Sequence, residues 1–189
     1  PKYLDTLKKA GINWLGLGIE NPDNENRKVI HKEGFKEVSV LNQIDVIRGA
    51  GINVGGNYIF GLPFDTQETM ENTLNFALEN PTEMANFYSA MAYPGSPLYA
   101  QARREGAELP KNYAGYSQHS YETLNLRNNS LTAMEILRFR DHAWDTYHTS
   151  RKYLDLMKSK FGNRAFNELN TTKKIKLRRR LLEESKTEE

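Results

Sequence analysis

The chain has 189 residues, 38% hydrophobic and 26% charged, with a mean hydropathy of −0.72 and a formal net charge of +2. That length suits one domain, the near balance of charge demands no acidic or basic partner, and no apolar run approaches the roughly 20 residues of a membrane span. Cysteine is absent, which excludes disulfides, thiolate nucleophiles, zinc knuckles and cysteine-ligated iron–sulfur clusters from this chain; with no signal-peptide pattern at its start, the expected compartment is the cytoplasm.

Pro1 to Ala10 reads as the end of a helix, so the chain is expected to be a piece of something longer. From Gly11 onward short apolar runs alternate with amphipathic segments, the pattern of βα units. The first strand is expected over INWLGLGIE (12–20), followed by the turn residues Asn21, Pro22 and Asp23 and helical stretches up to Ala50. The second is expected over INVGGNYIFG (52–61), with a helix through about Asn80, and the third over EMANFYSAMAY (83–93), with Pro94-Gly95 and a short helix after it. The phrase AGIN opens both of the first two units, at 10–13 and 50–53, and marks Gly11 and Gly51 as left-handed residues just past a helix end. A helix between consecutive strands imposes a crossover and hence parallel pairing, so the fold class is α/β.

Helix starts follow the same logic. Asp65 with Glu68 has capping-box spacing, Ser96 before Pro97 is an N-cap followed by proline at the first helical position, and Thr132 pairs with Glu135. Beyond Leu131 no strand signal occurs, and Ile136, Phe139, Ala143 and Tyr147 recur at helical intervals, so an amphipathic helix is expected to lie against the α/β part. The chain divides accordingly into an α/β part (1–110), a connecting loop (111–130) and a helical C-terminal region (131–189).

Ligands of parallel α/β folds sit at the carboxyl ends of the strands. Gly61-Leu62-Pro63-Phe64-Asp65 is there, with a glycine that lets the backbone approach a ligand and a helix start that favours anions; it is equally the composition of an ordinary βα turn. Glu20 ends a strand whose same-face neighbours by alternation are Gly18 and Gly16, which suits either a cavity or an exposed strand end. GLGIEN (16–21) lacks the third glycine of a dinucleotide fingerprint. YPGSPLY (93–99) is a turn at a strand end. His31, His119, His142 and His148 show no metal-ligand spacing, so no metal residues are assigned. KKIKLRRR (173–180) is strongly basic, but acids at Glu183, Glu184, Glu188 and Glu189 follow and no aromatic is interleaved, so a solvated helix is expected there rather than a nucleic-acid site.

GLGIE, NYIFGLP and AYPGSPLY, in this order and about one βα unit apart, resemble the later strands of the radical S-adenosylmethionine (radical SAM) barrel. The nearest resemblance is to the group that carries a cobalamin-binding domain before the barrel, including enzymes similar to magnesium-protoporphyrin monomethyl ester cyclase. YSQHSYETL (116–124), LRFRDHAWDTYHT (137–149) and YLDLMKSKFG (153–162) resemble its helical tail. What the resemblance implies is the second half of a partial (β/α)6 TIM-like barrel, strands four to six, in an enzyme where a 4Fe–4S cluster cleaves S-adenosylmethionine to a 5′-deoxyadenosyl radical. The family's CxxxCxxC loop is not in this chain, so the chain alone is expected to be inactive, to bind no cluster and to contain no catalytic residue. By the same carry-over Glu20 would reach the ribose or methionine part of the cofactor, Ile59 and Gly61, with Asn57 on the same strand face, would lie beside the adenine, and Met91 to Tyr93 would add adenine contacts. Pro22, and Phe64-Asp65 after Gly-Leu-Pro, depart from the family's usual residues. The implied partners are the N-terminal half of the same parent chain, a small-molecule substrate, cobalamin as a further cofactor, and a second copy pairing through the open sheet edge. The alternatives are a non-catalytic binding or assembly module on the same scaffold and a phosphate-binding α/β enzyme.

Overall fold

A computed structural model describes residues 2–22, 37–172 and 174–184. The turn residue Asp23, the helical stretch expected over 24–36, His31, Lys173 and the final acids from 185 onward lie outside the described residues.

Helix α1 (Lys2–Lys9) leads into strand β1 (Trp14–Glu20), α2 (Glu37–Gly49) into β2 (Asn53–Phe60), and α3 (Gln67–Glu79) into β3 (Met84–Ser89). Both AGIN junctions close their helices as the sequence requires. Gly11 and Gly51 have φ of 91° and 74°, and each is flanked by a pair of bonds onto the last turn: Gly11 N–H to Lys8 O with Ile12 N–H to Leu7 O, and Gly51 N–H to Arg48 O with Ile52 N–H to Ile47 O. This is the double hydrogen bond of a Schellman motif. The strands form one parallel sheet in the order β1-β2-β3. The fold is therefore α/β, three parallel strands alternating with helices, with further helices after them.

Two expectations about element ends need correction. The third strand stops at Ser89 rather than Tyr93: Ala90 N–H donates to Phe60 O at 2.8 Å, after which Tyr93 N–H turns back to Met91 O and the ladder ends. Helix α3 is capped by Thr66 with Thr69, not by Asp65 with Glu68. Asp65 is drawn inward instead, and the next threonine takes over the cap. The other two starts hold. Ser96 accepts from Tyr99 N–H at the head of α4 (Pro97–Arg104), and Thr132 with Glu135 forms a reciprocal capping box on α5 (Ala133–Thr149).

Alternation along the strands divides the sheet into a covered and an open face. Val54, Tyr58 and Phe60 of β2 and Ala85 and Phe87 of β3 are buried toward α5, where Ile136, Phe139, Ala143 and Tyr147 are buried as their periodicity predicts. Phe60 meets Phe139 edge-on with ring centroids 5.0 Å apart, and Phe87 meets Tyr147 at 5.5 Å, so the C-terminal helix and the sheet share one apolar core. Helix α6 (Arg151–Thr172) is broken at Gly162, whose φ is 77°, and adds Tyr153 and Met157 to that core. Just before the break, Phe161 stacks on Trp14 at the start of β1, at 5.9 Å.

The basic run is not a solvated helix. Residues 175–179 are irregular, helix α7 starts only at Arg180 (Arg180–Glu184), and Arg179 is among the most deeply buried side chains of the molecule. Its partners are residues far away in sequence, so local charge composition misjudged it.

Candidate functional site at the strand ends

The open face of the sheet is built from side chains that alternation turns away from α5. Gly16 and Gly18 of β1 lie in register with Gly55 and Asn57 of β2, and these in turn with Met84 and Asn86 of β3. Asn86 Nδ2 donates to Asn57 Oδ1 at 3.0 Å and Asn57 Nδ2 donates to Leu17 O at 3.3 Å, which makes a row of amides across the sheet. Ile59 stands opposite Tyr88 one step further toward the carboxyl ends, both half-buried. The two glycines of β1 keep the neighbouring part of this face free of side-chain bulk.

Glu20 closes β1 in an unusual conformation. Its φ is 62°, the only positive value at a non-glycine among the described residues, and the pairing register shifts between Gly18 and Glu20. A bulge of this kind re-aims the strand end, so the simple alternation expected to align Gly16, Gly18 and Glu20 on one face does not carry through to Glu20. Non-glycine residues held at positive φ cost about 1–3 kcal/mol and cluster at functional sites. Glu20 is half-buried there.

The Gly-Leu-Pro-Phe-Asp loop is tied inward. Asp65 is fully buried; Leu62 N–H donates to its Oδ2 at 2.9 Å, while Asn21 Nδ2 at 2.9 Å and Thr69 Oγ1 at 2.8 Å donate to its Oδ1. Burial pushes this carboxyl above its usual range, and the hydrogen bonds offset part of that rise. Asn128 fastens the loop from outside, donating Nδ2 to both Leu62 O and Asp65 O at 2.9 Å. Gly61 has φ of 78°, and a Cβ there would come within 2.7 Å of Ile136 Cγ2. The group that approaches this backbone is thus a side chain of α5, while the same loop borders a cavity of about 600 Å³ whose wall includes Gly61, Leu62, Ala90, Ala102, Leu124 and Asn125.

Of the six residues singled out by sequence, Glu20, Asn57 and Ile59 therefore belong to β1 and β2 at or near the open face, and Gly61 to the loop beyond it. Met91 and Tyr93 follow β3 in a turn: Met91 is buried, and Tyr93 is exposed with its ring 6.2 Å from that of Tyr116. Sequence reading missed Asn86, Gln118 and Asn128. Asn57 and Asn86 are equally far from their strand ends, but only because β3 ends at Ser89 and not at Tyr93, and Gln118 and Asn128 lie in loops whose course no periodicity reveals. Among the described residues no group of three or more His, Cys, Asp or Glu could hold a metal ion. His148 is buried, with Nδ1 2.8 Å from Trp144 O and its ring on Trp144, and burial holds it below the ordinary imidazole range. No helix of the described residues is long and apolar enough to cross a membrane.

Comparison with known proteins places these elements. The sequence profile described as Radical SAM superfamily matches residues 1–77, a span that contains β1, β2 and the Gly-Leu-Pro loop. A hopanoid C-2 methylase of Rhodopseudomonas palustris is 31% identical over 106 residues, 56% of this chain and 20% of that protein. An anaerobic magnesium-protoporphyrin IX monomethyl ester cyclase of Cereibacter sphaeroides is 28% identical over 136 residues, 72% of this chain and 21% of that protein. The solved coproporphyrinogen III oxidase of Escherichia coli, a radical SAM enzyme, superposes with a TM-score of 0.45 at 19% identity, covering 62% of this chain and 34% of that one. This chain thus spans about a fifth of the length of those two curated relatives, which differ in the reactions their names describe. Over residues 1–77 the chain is thus similar to the Radical SAM superfamily, and no one subgroup is singled out by relatives whose names differ in this way.

Proposed function

We propose that the chain forms the later part of a radical SAM barrel in a cytoplasmic, cobalamin-associated enzyme and lines its S-adenosylmethionine and substrate cavity. The observation that carries this reading is the strained Glu20 at the end of β1, beside a glycine-lined strand face inside the span matched by the superfamily profile. Whole enzymes of the superfamily use S-adenosylmethionine and a 4Fe–4S cluster. This chain has no cysteine, so its residues do not fit the cluster, and in this reading the thiolates are supplied by the N-terminal half of the same parent protein. They do fit the small-molecule cofactor. Glu20 on β1 offers a carboxylate to ribose hydroxyls or the methionine amine, the Asn57 amide and Ile59 lie along the neighbouring β2, and the bare stretch at Gly16 and Gly18 leaves room for the ligand itself. S-adenosylmethionine supplies the radical chemistry when bound; the residues here orient it and keep water away. Gly61, Met91 and Tyr93 complete the assignment on the side of the adenine.

In the protein that contains this chain, Glu20→Ala is expected to weaken S-adenosylmethionine binding by about ten- to a hundredfold, since a hydrogen bond to a charged group contributes about 1.5–3 kcal/mol. Equilibrium binding with the cluster absorption recorded in the same sample checks this. Unchanged affinity would return Glu20 to the role of a strained strand end and favour the non-catalytic module.

The sheet edge at β1 provides a second test. Trp14 at the head of β1 is exposed, and no strand pairs with β1 on the side away from β2 among the described residues. An unpaired edge of this kind invites another strand. The 189-residue chain on its own is expected either to self-associate in sedimentation experiments or, where it stays monomeric, to show poorly protected amides over 14–20. A monomer with those amides strongly protected would show that the edge is covered and would overturn pairing with the rest of a barrel.

A further inference from the structure

The carboxyl end of the opposite sheet edge is plugged by side chains, and the geometry points to Arg179 as the residue that keeps them in place. In a parallel strand successive residues turn their N–H and C=O groups to opposite sides. Ala90 N–H donates to Phe60 O, so Asn86, Tyr88 and Ala90 face β2, and Ala85, Phe87 and Ser89 face outward. Phe87 O and both backbone groups of Ser89 are occupied by side chains. Arg140 Nε donates to Phe87 O at 2.7 Å. Gln118 Oε1 accepts from Ser89 N–H at 3.1 Å, and Gln118 Nε2 donates to Ser89 O at 2.9 Å, so one amide side chain reproduces the two bonds that a neighbouring strand would make.

Both plugging residues depend on the same guanidinium. Arg179 donates through Nε and Nη2 to the two oxygens of Asp141 at 3.0 and 2.9 Å, and Asp141 Oδ1 also accepts from Arg140 Nη1 at 2.7 Å. Through Nη1 it donates to Ser120 O at 3.1 Å and Thr123 Oγ1 at 3.3 Å, in the loop that carries Gln118. Arg180 N–H adds a bond to Tyr121 O at 2.9 Å. Arg179, Arg140 and Gln118 are all buried, which makes each unmatched bond costly. The irregular stretch 174–179 is thus a strap, and its one deeply buried arginine holds the plug against β3. The strap's effect reaches the cavity at the strand ends, because Leu126 N–H donates to Ala90 O directly beyond the plugged residues.

Arg179 is a positioning residue in this account, and amide exchange of the full chain tests it. In Arg179→Ala the Ser89 amide is expected to exchange about a hundredfold faster, because breaking a buried ion pair removes several kcal/mol of local stability, while the Val54 and Tyr58 amides on β2 keep their protection. Arg179→Lys retains charge without the two-pronged fork and should give an intermediate acceleration, about tenfold. Gln118→Ala should release Ser89 while the Arg180 amide stays protected, since the strap is upstream of the plug. Unchanged exchange at Ser89 in Arg179→Ala would overturn the inference. So would equal acceleration of Ser89 and Val54 in Arg179→Lys, or loss of Arg180 protection in Gln118→Ala.

Discussion

Replacing Glu83 with alanine is expected to lower the free energy of unfolding by about 3 kcal/mol. The side chain is 1% exposed at the head of β3, and three groups converge on it: Arg48 Nε at 2.9 Å and Lys160 Nζ at 2.7 Å on one oxygen, and Val54 N–H at 2.8 Å on the other. It thereby joins α2, β2 and α6 at one point. The two cations are about a third exposed and can be rehydrated, so most of the loss comes from the buried Val54 N–H left without an acceptor and from the unlinked helices. Arg48 keeps its bond to Pro81 O, which limits its own disorder. Urea unfolding of the two proteins measures the difference; a loss under 1 kcal/mol would reduce the cluster to an ordinary surface ion pair.

The same carboxylate sets a pH dependence. Burial alone would push its pKa up, but Lys160, the Val54 N–H and Arg48 together outweigh burial and hold it below the ordinary 4.5. A carboxyl depressed in the folded state binds its proton more readily when unfolded. Its stabilisation is therefore complete above pH 4.5 and is lost as the pH falls through the folded value below that. Glu83→Gln, which keeps the shape and an acceptor for Val54, should flatten the acid side of the stability profile.

Gly61→Ala is expected to cost about 2–4 kcal/mol, for two separable reasons. The backbone at φ of 78° disfavours any side chain, and the new Cβ would be 2.7 Å from Ile136 Cγ2 and 2.8 Å from its Cδ1. Ile136 is fully buried against the sheet and cannot swing away without opening the core. A double-mutant cycle with Ile136→Ala separates the two. In that background the clash is gone and only the conformational term remains, about 1 kcal/mol. An undiminished penalty would mean that backbone strain alone demands glycine. Because Gly61 also borders the 600 Å³ cavity, the single substitution should displace the loop that forms its rim.

Much of the fold was legible because its signals are local. Gly11 and Gly51 end their helices through bonds spanning five residues, Ser96 and Pro97 start α4, and Thr132 and Glu135 cap α5, each with every participant inside one turn of chain. The alternation of apolar runs and helices is enough to require parallel strands. Where two local signals competed, distance decided. Asp65 and Thr66 were both eligible to cap α3, and Asn21, 44 residues earlier, together with the Leu62 N–H, draws Asp65 into the interior.

The remaining features have no local cause. Glu20 was visible as a carboxylate at a strand end, but its positive φ and the register shift beside it exist only because β1 is fitted to β2. The third strand ends at Ser89 because its partner β2 ends opposite it at Phe60, where Gly61 at positive φ turns the chain away, although the sequence stays apolar for another four positions. Arg179 lies in a run whose composition says solvent, and it is buried because Asp141 waits 38 residues upstream with both oxygens aligned. By itself the sequence determined the order and kind of elements, since caps and periodicities act over one or two turns. Which polar groups are buried, and where strands stop, was decided by the tertiary structure, because a buried charge or strand end is stable only when its partner arrives from a distant part of the chain.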